Sequence, residues 1–153
     1  MANSYTQLHI HAVFAVKYRN AVIEKSWRTE LLGVIGNLIN EKKCKTLIVN
    51  AVEDHVHCLF ALNPNISIDN LMQNAMGFSA KFVNDNKLTK EPFEWQNDYG
   101  AFSCGKSHLS TVFKYIQNQE EHHKTQTLRE EYIELLTKDG VELDEKYLFE
   151  ELI

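Results

Sequence analysis

Two strand-like runs that nearly touch in sequence constrain this chain more than any other feature. Residues 44–53 (CKTLIVNAVE) and 55–62 (HVHCLFAL) are rich in β-branched and apolar side chains, and the interval between them is too short for a helix. They can pair only as an antiparallel hairpin turning near Glu53 and Asp54, with Pro64 closing the unit. Around that hairpin the period of the pattern changes repeatedly. Residues 5–16 alternate and end in β-branched and aromatic residues, which predicts a strand. Over 26–42, Trp27, Leu31, Val34 and Leu38 recur at helical spacing, Ile35 and Ile39 widen the stripe, and Ser26 stands where an N-cap would be. A second helix is predicted over about 67–84, with Ile68, Leu71, Met72, Ala75, Ser79 and Phe82 on one side. Short strand-like pieces follow at 93–96 and 99–104. A third helix is predicted over 108–123, capped by Ser107 and packed through Leu109, Val112, Phe113 and Ile116. Thr127 to Glu130 reads as a capping box opening a fourth helix that ends at Gly140.

The order β-α-β-β-α-β, then helices, predicts an α+β fold of the ferredoxin-like, split β-α-β kind. Such a fold is an antiparallel sheet with two helices on one face, here with an additional C-terminal helix. With 153 residues and 44% hydrophobic content, one domain with a buried core is expected and disorder is excluded. Cys44, Cys58 and Cys104 form no CxxC pair, so neither a zinc ribbon nor a disulfide framework is indicated. Free thiols in a reducing cytosol are the expectation. The N-terminus lacks the pattern of a signal peptide, and no apolar run approaches the ~20 residues that span a bilayer. A cytoplasmic protein without a membrane partner follows as the expectation.

The net charge of −5 argues against a generally basic nucleic-acid binder. Its distribution changes that reading. Residues 1–119 carry 12 Lys+Arg against 10 Asp+Glu, whereas residues 120–153 carry 4 against 11. The acidity therefore belongs to the predicted last helix and tail, expected to pack on or beside the same domain.

The residues with most chemical content are His55 and His57. Two apart on a strand, they project side by side and make a ready pair of metal ligands, or equally a pair of hydrogen-bonded histidines on an open face. His9 and His11 have the same spacing. Were the two strands neighbours, four histidines could share a face and a zinc site would be conceivable. On the third predicted helix Tyr115 and Gln119 are i, i+4 and share a face offset from the apolar stripe. A displayed phenol can attack phosphorus with help from a divalent cation, although an amphipathic tyrosine at a helix edge has the same spacing. His122 and His123 read as a solvated helix end.

The chain resembles the single-tyrosine HUH transposases of the insertion sequence 200/605 type and the related REP-associated tyrosine transposases. The resemblance is carried by HAVFAVKYR (11–19), VEDHVHCLF (52–60), WQNDYGAFS (95–103) and YIQNQEEHH (115–123). It implies a catalytic domain over 1–123, with 124–153 as an acidic helix and tail. It implies that Tyr115 is the nucleophile and that His55, His57 and Gln119 ligate Mg²⁺, with Mn²⁺ a substitute. His11 would not be a ligand, which disfavours the zinc arrangement. The implied substrate is single-stranded DNA with hairpins at the element ends, cut through a 5′-phosphotyrosine link and rejoined by a 3′-hydroxyl. A homodimer is implied, with the site often built across its subunits. Lys17, Arg19, Lys81 and Lys106 are candidates for lining the DNA path, and Tyr18 and Phe102 for stacking on bases. The alternatives are a domesticated hairpin-binding protein that does not cut, and a metal hydrolase of small phosphoesters.

Overall fold

The computed structural model describes residues 5–122 together with Glu130, Ile133 and Glu134. The expected capping box, most of the fourth helix and the acidic tail lie outside the described residues. Four strands, β1 (His9–Val16), β2 (Lys45–Ala51), β3 (His55–Ala61) and β4 (Trp95–Cys104), form one sheet in the order β2-β3-β1-β4. Every neighbouring pair is antiparallel. Helix α1 (Lys25–Glu41) connects β1 to β2, and α2 (Ile68–Asp85) connects β3 to β4. These two helices pack on each other and on one face of the sheet. A shorter helix, α3 (Leu109–Gln117), packs against β2 and β3, and one further turn, α4 (Gln119–His122), follows it. The ferredoxin-like α+β expectation is met, including the extra helix that carries Tyr115.

The alternation of β1 and β3 builds the two faces. Ile10, Ala12, Phe14 and Val16 of β1 and Val56, Cys58 and Phe60 of β3 enter the core beneath α1 and α2. The helices answer with Leu31, Ile35 and Ile39 and with Leu71, Met72 and Met76. Trp95 closes one end of this core, edge-on to Phe14 and Phe93 at centroid distances of 4.7 and 4.8 Å. Its indole N–H donates to the Ser79 hydroxyl at 3.0 Å, which explains a serine in the apolar stripe of α2.

Local chemistry shifts some predicted bounds. Ser67 caps α2, accepting the Asn70 N–H at 3.1 Å, but Ser26 caps nothing; α1 starts one residue earlier, behind Glu24. The two strand pieces predicted near 93–104 are one strand. Two steps along β1, from Phe14 to Val16, face four along β4, from Tyr99 to Trp95, and this bulge disguises the continuity. Ser107 is part of a 3₁₀ turn, Lys106–His108, and does not cap α3.

Core position decides what a phenylalanine is worth. Phe60→Ala should destabilise the protein by about 3–5 kcal/mol in urea unfolding, whereas Phe78→Ala, at an exposed site on α2, should stay within about 0.5 kcal/mol of wild type.

Candidate active site

The β1–β3 register sets His55 opposite Ala15 and His57 opposite Val13. Both imidazoles leave the sheet on the side of α3, with centroids 5.2 Å apart, and both are fully buried. The Nδ1 of each ring is engaged. Asp54 Oδ1 lies 2.7 Å from His55 Nδ1. An ionised carboxylate can only accept, so the proton sits on Nδ1 and the lone pair on Nε2. Burial pushes the Asp54 carboxyl up, but the hydrogen bond and charge of His55, then those of Arg19, outweigh it and hold the group below its ordinary value. Arg19 donates from Nε and Nη2 to Asp54 Oδ2, both at 3.2 Å. This pairing anchors the turn after β1, where Tyr18 and Arg19 take φ of 60° and 54°, a left-handed backbone that residues with a Cβ rarely adopt.

His57 Nδ1 lies 2.7 Å from His11 Nε2, with the two rings stacked at 5.0 Å. When Nδ1–H of His57 donates to His11, the lone pair of His57 also lies on Nε2. In that tautomer His11 is the counterpart of Asp54, a group that orients a histidine from behind. Its Nε2 is directed at His57, so the four histidines do not converge as a zinc cluster. Among the described residues no group of three His, Cys, Asp or Glu side chains could hold a metal ion. The signal that could have revealed this role was the second His-x-His spacing combined with the adjacency of β1 and β3. For Asp54 it was an acid immediately before His55.

Tyr115 is half-buried on α3, its ring centroid 6.0 Å from that of His57 and 6.3 Å from that of His11. Gln119 is fully buried, and its amide N–H donates to the Tyr115 carbonyl at 3.3 Å. A cation would therefore be taken by its oxygen. Two imidazole nitrogens and one amide oxygen form a neutral donor set that suits a divalent metal sharing its shell with phosphate oxygens. Tyr115 and Gln119 do not, however, lie on one continuous helix, as the sequence pattern predicts. Asn50 of β2 reaches across and donates its amide to the carbonyls of Ile116 (2.9 Å) and Gln117 (3.2 Å). Asn118 turns out of the helix at φ −97°, ψ 26°, and α4 begins after it.

The four candidate cations occupy different settings. Lys17 pairs with Glu94 at 3.2 Å and Lys81 with Asp85 at 2.6 Å, both at exposed positions where a phosphate can compete with a weak surface pair. Arg19 is held by Asp54, as described, and Lys106 is exposed in the turn before α3. Tyr18 is exposed, with the Lys17 ammonium 5.5 Å from its ring centroid, while Phe102 is buried beside His11.

Two solved structures share this arrangement of strands and helices. One, assigned as a transposase from Deinococcus radiodurans R1, superposes with a TM-score of 0.63 over 78% of this chain and 95% of that one, at 20% identity. The other, a REP-associated tyrosine transposase bound to a REP hairpin, does so with a TM-score of 0.59 over 80% of this chain and 73% of that one, at 12% identity. The fold is therefore that of transposases. In sequence, the chain is 24% identical to the ISDra2 transposase TnpA of D. radiodurans over 118 residues, which span 74% of this chain and 84% of that protein. It is 25% identical to the transposase for insertion sequence element IS200 of Salmonella typhimurium over 130 residues, 81% of this chain and 84% of that one. Residues 4–119 match the model of the family described as transposase IS200 like, and the chain belongs to that family, whose members are enzymes of DNA transposition.

The Asn50 clamp is open to direct measurement. Asn50→Ala should leave the sheet intact but speed amide hydrogen exchange in the last turn of α3 and cost about 0.5–1.5 kcal/mol per lost hydrogen bond.

Proposed function

We propose that this transposase cuts and rejoins single-stranded DNA at hairpin-bearing element ends, with Tyr115 as the nucleophile. The observation that carries the reading is the meeting of Tyr115 with His57 on one sheet face, its ring 6.0 Å from that histidine, in a chain of the IS200-like family. The phenol oxygen attacks a scissile phosphorus, the bond from phosphorus to the 3′-oxygen breaks, and the phenolic proton is lost as the departing oxygen gains one. The product is a 5′-phosphotyrosine link and a free 3′-hydroxyl. Attack by a 3′-hydroxyl on that link reverses the chemistry and joins strands without an outside energy source.

His55, His57 and Gln119 would hold Mg²⁺, or Mn²⁺ in its place. When bound, the ion polarises the phosphate and offsets charge that develops on its oxygens. Asp54 and His11 keep both histidines in the tautomer with Nε2 available as a ligand. All three ligand side chains are fully buried. Entry of a phosphodiester therefore requires α3 and α4 to shift from the sheet, and the Asn50 hydrogen bonds are among those that would break. The hairpin held by the REP-associated relative supports hairpin ends as the substrate feature. A homodimer is part of the proposal, and light scattering should return twice the chain mass.

The decisive experiment mixes the protein with hairpin DNA from the ends of its own element and Mg²⁺, then resolves products in SDS. Wild type should give a protein–DNA adduct that Tyr115→Phe does not form and that EDTA prevents. His55→Ala and His57→Ala should lower adduct yield by two orders of magnitude or more. Wild-type binding without an adduct, unaffected by EDTA or by Tyr115→Phe, would instead mark a hairpin-binding protein that does not cut.

A further inference from the structure

Five of the cations among the described residues are paired with acids. Lys17, Arg19, Lys25, Arg28 and Lys81 each lie within 4 Å of a carboxylate oxygen. Lys43, Lys45 and Lys106 are different. They are exposed, form no ion pair among the described residues, and come together along one groove of about 400 Å³. The groove lies at the end of the sheet where Lys45, Ala61, His9 and Cys104 form a row across the strands. Its wall includes His9, Asn63 and Leu109, and no carboxylate lines it among the described residues.

Two further observations bear on this groove. The Nδ1 of His9 is buried and has no hydrogen-bond partner among the described residues. Buried polar atoms are normally satisfied, so His9, a residue of the groove wall, has a nitrogen that a bound group would engage once the ring turns outward. Lys43, in turn, has φ of 61° immediately after the end of α1, a place where glycine is the usual residue. Glycine is therefore the substitution that removes the Lys43 side chain without straining the backbone. A groove beside Tyr18 contrasts with this one: Lys17 and Lys90 there share the wall with Glu24, Glu91 and Glu94, which would repel a phosphate.

We propose that the groove is a track for the phosphodiester backbone of the DNA substrate, with Lys43, Lys45 and Lys106 as its cations and His9 Nδ1 as a hydrogen-bonding partner of a phosphate oxygen. Leu109, the first residue of α3, closes one side, so a strand leaving the groove passes onto the helix that carries Tyr115, roughly 9 Å further along its axis. The groove thus feeds the active site from the end of the sheet. The inference rests on DNA being the substrate of the Tyr115 site and adds a binding surface to it.

Salt dependence tests it. Binding of a DNA hairpin with a single-stranded flank is followed by fluorescence anisotropy across a salt series. Each of Lys43→Gly, Lys45→Gln and Lys106→Gln should reduce the magnitude of the log Kd against log salt slope by about 0.7–0.9, and the triple variant by about 2–3. Lys87→Gln, at an exposed position just past α2, should leave it unchanged. Lys43→Gly should unfold at the wild-type temperature or above while binding DNA more weakly; a lower unfolding temperature would make Lys43 a structural residue and remove it from the track. If the triple variant binds with the wild-type slope while Tyr115 still forms its adduct, the track is wrong and the transposase chemistry stands. If wild type binds no DNA, both fail together.

Discussion

The site depends on one constraint, the side-by-side placement of β1 and β3 in a fixed antiparallel register. Both strands are covered on both faces, so a slip of one residue would exchange the core set with the histidine set and is strongly opposed. That register keeps Val56, Cys58 and Phe60 under the helices while His55 and His57 look the other way. It also brings His11 diagonally across to His57, and it carries the end of β1 to Asp54, whose backbone carbonyl accepts the Val16 N–H at 2.8 Å. The two histidines and the groups that orient them are thus consequences of strand pairing, and no separate scaffold is needed.

The parts of the fold governed by short-range pattern were legible in the sequence. The hairpin from β2 to β3, the two long helices and the shared face of His55 and His57 follow from spacing within a few residues. The parts that were not legible depend on which distant residues meet. Nothing near Tyr115 announces that Asn50, some 65 positions earlier, ends its helix by taking the Ile116 and Gln117 carbonyls. The roles of His11 and Arg19 share that character, since each is defined by a partner on another strand or turn. The bulge in β4 misled for a related reason: alternation is broken by extra residues whose placement only the partner strand determines.

Charge divides in the same way. Arg19 and Arg28 are drawn into the protein's own bonding, one to Asp54 and the other to the Ile23 carbonyl and Glu120. Three of the lysines left over, Lys43, Lys45 and Lys106, stand at the end of the sheet nearest the start of α3. A balance close to neutral over residues 1–119 is therefore compatible with a locally positive surface, because pairing consumes the positive charge elsewhere.

The irregular edge of the sheet has a bearing on how copies of the protein can associate. β2 and β4 are the outer strands, and an outer strand that is long and flat invites another chain to extend the sheet. β4 has ten residues, but its bulge falls in its first half, and the exposed Asn97 and Asp98 sit within it. A neighbouring strand would find neither a straight ladder of amides nor an uncharged surface there. Sheet-to-sheet polymerisation is discouraged on that side, so any contact between copies along β4 would have to be made by side chains.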